Sequence, residues 1–352
     1  MKTAQQNNFS VLRLFFASLV IVSHTPEMID GDRSREVLTM IFGTLSFGEV
    51  AVDGFFLISG YLITKSFLTS SSSWSFIKKR LARIVPGFVV CFFICLLVLA
   101  PFLGGSFSVS ADILRSNAKM LAVLQGPYTP DILPGLPYPS TNVPMWTIAY
   151  EFRCYVLVLV LGVLGVLGAA RWRWGILGFA ALLLGLNASG ITAEASVPFS
   201  VALGQVGSTV RLFGVFAVGM CFYLFRDRLT YSHPGAAIAA ILLVICLFNR
   251  FSAEAAFAIF GGYLIFWFTF KFPAIGLSSL ADRNDISYGM YLYAWPVGTS
   301  LIWLFGMRDP IVVGALTFLI TPAFATLSWL LIERPAQQAF RPSANRSATA
   351  IS

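Results

Sequence analysis

FSVLRLFFASLVIVSHTP, residues 9–26, is an apolar run interrupted only by Arg13 until it ends in Ser23-His24-Thr25-Pro26. As a helix, a run of this kind can cross the roughly 30 Å of hydrocarbon in a bilayer, which takes about 20 residues. A secretory leader is also apolar but finishes in a small-x-small cleavage site. This run contains Arg13 and no such site, so it reads as a retained transmembrane helix.

Similar runs follow along the 352 residues, of which 57% are hydrophobic and 11% charged. Mean hydropathy is +0.79. A soluble domain carries about 25% charged residues, so that class is excluded. The runs and their polar flanks predict spans near 9–28, 46–67, 84–103, 144–168, 174–189, 207–225, 235–250, 252–270, 287–305 and 311–332. The expected fold class is therefore an all-α integral membrane protein, a bundle of about ten transmembrane helices. Cys91, Cys95, Cys154, Cys221 and Cys246 fall inside these spans without Cys-x-x-Cys spacing, which predicts apolar filler and no metal site.

The formal net charge of +8 prompts the question of nucleic acid, and the placement of the charges answers it. With the N-terminus inside, Lys65, Lys78, Lys79, Arg80, Arg83, Arg171, Arg173, Arg226, Arg228 and Lys271 fall on the cytoplasmic side, as do Lys2, Arg283, Arg334, Arg341 and Arg346. Only Arg33, Arg35, Arg115, Lys119, Arg250 and Arg308 fall outside. The bias follows the positive-inside rule, so both termini are expected in the cytoplasm, the bilayer is the partner, and no nucleic acid is implied. Residues 1–336 read as one membrane domain and 337–352 as a short cytoplasmic tail. The external loop 104–143 is rich in Gly, Pro and Ser, which fits either stiff irregular chain or a lid or acceptor-binding surface.

Ionisable groups inside a membrane are costly and usually face a cavity. Arg13 and His24 are eleven residues apart, so they share one face of the first helix at roughly 16 Å separation. Snorkelling by Arg13 and simple helix termination at His24 would also account for them. Asp53 on the second helix and Glu151 on the fourth each lie about seven residues from a span's outer end, a depth comparable to that of His24. A carboxylate beside a neutral imidazole lets the ring take a proton from a hydroxyl. Pairing of the carboxylates with Arg153 or Arg211 is the structural alternative. Arg80 and Arg83, at i and i+3 before Pro86, fit either a lipid-headgroup anchor or a phosphate clamp.

Several separated segments together resemble the membrane acyltransferase 3 family, which includes O-antigen, exopolysaccharide and Nod-factor acetyltransferases. They are Arg13 with His24 eleven residues on, the VDGFFLISGYLI segment at 52–63, Arg80 to Arg83 to Pro86, and Trp146 to Glu151. Near the C-terminus, SYGMYL at 287–292 followed by Trp295-Pro296, and then Ile332 to Pro335, are similar to the family's last two helices. The likeness runs from about residue 9 to 336, with a departure at Ala294, where many relatives carry a histidine.

The resemblance implies an O-acyltransferase of the inner (cytoplasmic) membrane that uses acetyl-CoA or a similar acyl-CoA as donor and a cell-surface or lipid-linked saccharide as acceptor. Arg13, Arg80 and Arg83 would hold the donor, and His24 would act as general base with Asp53 or Glu151 orienting it. Trp146, Ser59 and Tyr150 would contact the substrate. A route through an acylated His24 stays open. The rival classes are a proton-coupled transporter or flippase of a saccharide, and an acyltransferase acting on a small molecule.

Overall fold

Ser46 and Glu49 form a reciprocal capping box: the Ser46 hydroxyl accepts from the Glu49 amide, and the Glu49 carboxylate accepts from the Ser46 amide at 2.8 Å. This start signal sets the phase of the helix through which the bundle is organised, α2 (Phe47–Thr69). The structure, a computed structural model, describes residues 8–104, 110–192, 204–273 and 284–340. Lys2, Arg283, Arg341 and Arg346, used above for orientation, lie outside the described residues, as does most of the tail.

The helices of ten or more residues in chain order are α1 (Phe9–Asp30), α2, α3 (Ser73–Phe102), the short α4 (Ala111–Ala122), α5 (Val143–Val163), α6 (Trp172–Ala188), α7 (Val206–Leu224), α8 (His233–Leu247), α9 (Ala253–Lys271), α10 (Ser287–Phe305) and α11 (Pro310–Ala339). A helix falls on each expected span, and no strand occurs among the described residues. Seven of these helices are long and apolar enough to cross a membrane, while α6 and α8 are apolar but shorter. The protein is therefore an all-helical, multi-pass membrane protein. Side chains such as Leu319, Leu331 and Val163 point outward and exposed, as a lipid-facing surface requires.

α2 packs against α1, α5 and α7, and α1 packs in turn against α10 and α11. The α2–α7 contact is close because it is made by glycines: a Cβ on Gly60 would stand 2.1 Å from the Phe216 carbonyl oxygen, and one on Gly219 2.2 Å from that of Leu57. Gly60→Ala is expected to cost about 1–3 kcal/mol through forced separation of the two backbones. A lowered midpoint of thermal unfolding in detergent would register it, and an unchanged midpoint would show that the helices can part freely.

Within the loop that fits either stiff irregular chain or a lid or acceptor-binding surface, the stretch 132–136 is packed against the bundle. Ile132, Leu133 and Leu136 are buried with Met28, Trp295 and Ile302, and the Leu133 amide donates to the Leu103 carbonyl at 2.9 Å. Leu133 holds a φ of 53°, a left-handed conformation unusual for a branched residue, within this fully buried setting.

Candidate active site

α1 runs on to Asp30 and is closed by Gly31 in the left-handed conformation, so Pro26 lies within the helix. A proline inside a membrane helix is tolerated when neighbouring groups satisfy the freed backbone. The consequence is chemical, because Glu27 now stands one turn beyond His24 on the same helix. Its Oε2 is 2.7 Å from His24 Nδ1, and its Oε1 accepts from Arg33 Nη2 at 2.5 Å. Glu27 is 1% exposed, which removes water as a competing partner. A carboxylate can only accept, so Nδ1 donates and the neutral ring keeps its lone pair on Nε2. The ring meets the Trp295 indole edge-on at 5.3 Å, so it faces α10 rather than lipid.

The expected placement of Asp53 and Glu151 beside His24 is not what the structure shows. α1 overshoots the start of α2, so Ser23 lies against Gly48 and Phe16 against Gly54. Asp53 is thus roughly 8 Å further down the bundle than His24, and Glu151, joined to Ser59, roughly 16 Å further. Asp53 is fully buried and accepts from Arg211 Nη2 at 3.0 Å, while Arg211 Nε also pairs with Glu254 at 3.0 Å. The structural alternative describes Asp53. Glu151 accepts from the Ser59 hydroxyl at 3.0 Å and from the Tyr155 hydroxyl at 2.5 Å.

Glu151 does meet the arginines. A cavity of about 380 Å³ is lined by Arg13, Lys79, Arg80, Arg83, Glu151 and Asp285, among others. Its cationic side chains outnumber its carboxylates, and Arg80 Nε is buried there without a hydrogen-bond partner. A narrower space of about 50 Å³ shares Arg13, Ser59 and Glu151 and reaches as far as Thr147 and Tyr291, whose hydroxyls are hydrogen-bonded to each other at 2.5 Å. Tyr291 is one turn from Trp295 on α10, and Trp295 is the side chain that the His24 ring meets. Ala294 is buried against Ala17 and Ile21 of α1, which leaves His24 as the imidazole on this axis among the described residues.

Asp285 was missed by the reading of the sequence because it sits just outside a span and pairs with residues more than 200 positions away. Its Oδ2 accepts from Arg13 Nη1 and from Arg83 Nη2, each at 2.8 Å, and its Oδ1 accepts from the Ser287 hydroxyl at 2.6 Å. Burial acts to raise its pKa, but the Arg13 and Arg83 guanidiniums hold it well below the usual carboxylate range. Asp285 thereby ties α1 and α3 to the start of α10. Glu27, the other omission, lay within the expected span 9–28 at i+3 from His24, a helical spacing the sequence already carried.

Trp146 and Tyr150 do not join this axis. They line a separate cavity of about 480 Å³ with Gln125, Gln205 and Ser208.

The profile of a family described as an acyltransferase domain matches residues 6–333. The chain is 29% identical over 349 residues to an O-acetyl transferase of Shigella phage Sf6, covering 94% of this chain and 96% of that protein. It is 30% identical over 375 residues to Nodulation protein 10 of Rhizobium leguminosarum bv. viciae, covering 96% and 94%. A shorter likeness, 26% over 246 residues and covering 66% and 60%, links it to the acyltransferase MdmB of Streptomyces mycarofaciens. No solved structure matches. With the profile spanning nearly the whole chain, this protein belongs to the acyltransferase 3 family and is a membrane-embedded acyltransferase.

Proposed function

We propose that the protein moves an acetyl or other short acyl group from acetyl-CoA to a hydroxyl of a cell-surface or lipid-linked saccharide, as an inner-membrane enzyme of about ten spans with both termini cytoplasmic. The observation that carries this reading is the arrangement of α1, which presents Arg13 to a cationic cavity and, three turns away, a His24 held by Glu27. The relative named as an O-acetyl transferase supports transfer of an acetyl group to an oxygen.

The donor's phosphates would sit against Arg80, Arg83 and Arg13, whose planar forks match phosphate oxygens. Its pantetheine arm would follow the passage past Ser59 and Glu151 toward Tyr291. His24 Nε2 would take the acceptor hydroxyl's proton as the oxygen attacks the thioester carbonyl. The imidazolium formed is stabilised by Glu27 through Nδ1. When the carbon–sulfur bond breaks, that proton goes to the departing thiolate, which leaves ester, free thiol and neutral His24.

Asp285→Asn keeps the side chain's shape but removes the charge that orients Arg13 and Arg83. The KM for acyl-CoA is expected to rise about tenfold, the worth of one charge-assisted hydrogen bond. A lowered KM would show instead that this carboxylate competes with the donor. The function itself is tested by incubating purified protein with labelled acetyl-CoA and a panel of glycans. Label in an alkali-labile ester supports it. Label retained wholly in the donor, together with lost polymer export in cells lacking the gene, would favour a transporter.

A further inference from the structure

Arg153 lies one turn beyond Tyr150 on α5, with its guanidinium 4.7 Å from the centre of the Tyr150 ring. Its Nη1 and Nη2 are both buried and neither has a hydrogen-bond partner. The ring face offsets part of the charge but leaves the in-plane N–H groups without acceptors. Arg211, the neighbouring intramembrane arginine, has two carboxylates. Arg153 has none among the described residues, and burying a cation's N–H groups without an acceptor is costly. An anion supplied from outside the chain would offset part of that cost.

The cavity of about 480 Å³ lies immediately beside it. Tyr150 and Gly204 form the shared wall: a Cβ on Gly204 would stand 2.4 Å from the Tyr150 hydroxyl and 2.7 Å from Arg153 Nη1. Because Gly204 has no side chain, the Nη1 edge is separated from the cavity by a single backbone. The remaining lining supplies the Trp146 indole, the carboxamides of Gln125 and Gln205, and the Ser208 hydroxyl. Aromatic faces for sugar C–H groups and neutral polar groups for sugar hydroxyls are what a pyranose needs. No acidic side chain lines the cavity among the described residues, and it shares no lining residue with the cationic cavity.

We infer that this cavity binds an anionic saccharide, its charge carried by a carboxylate or a phosphate, and that Arg153 selects for that charge. The bound sugar's role as acceptor rests on the function proposed above, whereas its binding does not. An anion held in the cavity stands across the Gly204 backbone from the Nη1 edge, in surroundings poor in water where the Arg153 charge is weakly screened and discriminates between charged and neutral ligands.

The test is direct binding by calorimetry in lipid nanodiscs, without acyl-CoA. The ligands are a trisaccharide containing one glucuronic acid, its carboxyl-reduced neutral form, and a phosphorylated sugar of similar size. At least one anionic ligand is expected to bind about tenfold more tightly than the neutral one, the worth of one weakly screened charge attraction. Whichever binds more tightly identifies the charged group. Arg153→Gln is expected to abolish the preference, with CoA binding retained as the sign of an intact fold. If that variant loses CoA binding, Arg153→Met, which keeps an unbranched side chain of similar length and removes the charge, takes its place and is expected to abolish the preference likewise. Equal binding of neutral and anionic sugars, or a preference that survives the variant that folds, overturns the inference. Anionic binding without ester formation in the labelled assay would overturn the acyl-transfer reading alone, and ester formed on neutral sugars without preference would overturn this inference alone.

Discussion

His24→Ala is expected to abolish acyl transfer while leaving a membrane-inserted protein that still binds the donor. A positioned general base contributes about 10²–10⁴-fold to rate, and the loss should fall in kcat rather than in the KM for acyl-CoA, because on the proposed mechanism the donor's charge would be met in the cavity lined by Arg13, Arg80 and Arg83. Glu27 divides the possibilities further. In Glu27→Gln the amide oxygen can still accept from Nδ1, so the ring keeps its tautomer and loses only the negative charge that stabilises the imidazolium. About 10–100-fold in kcat is expected, smaller than for His24→Ala and without a change in donor KM. Full activity in Glu27→Gln would remove the carboxylate from the mechanism. Full activity in His24→Ala would remove the mechanism altogether.

Arg211→Leu is expected to destabilise the fold by about 3–5 kcal/mol, since it strands two carboxylates with no countercharge. Asp53 is fully buried, and Glu254 also accepts from the Asn187 side chain, so this one guanidinium joins α2, α6, α7 and α9. The loss should appear as a markedly lower thermal midpoint in detergent and a reduced yield of folded protein. Asp53→Asn combined with Glu254→Gln in the Arg211→Leu background removes the stranded charges and should recover most of the loss. A single Arg211→Leu protein as stable as the parent would mean that water or lipid headgroups reach these carboxylates.

The two variants separate groups that the sequence presented together. His24, Asp53 and Glu151 all stood out as ionisable residues in apolar helices, and composition offered no means of dividing them. Their division depends on the relative height of α1, α2 and α5. That height is set by the contacts of Ser23 with Gly48 and Phe16 with Gly54, which involve residues far apart in the chain.

The sequence by itself determined the class of protein, the position of every long helix, the family, and the i,i+3 pairing of Arg80 and Arg83. These follow from local properties: apolar length, charge bias and short motifs whose residues share a helix face. Only the tertiary structure decided that Glu27 rather than Asp53 or Glu151 holds His24, that Asp285 ties two of the arginines together, and that Trp146 and Tyr150 belong to another cavity. Such pairings depend on how far each helix projects past its neighbours. An apolar run fixes that a helix forms, but in a bilayer its height and rotation come from side-chain packing between helices, which no single segment encodes.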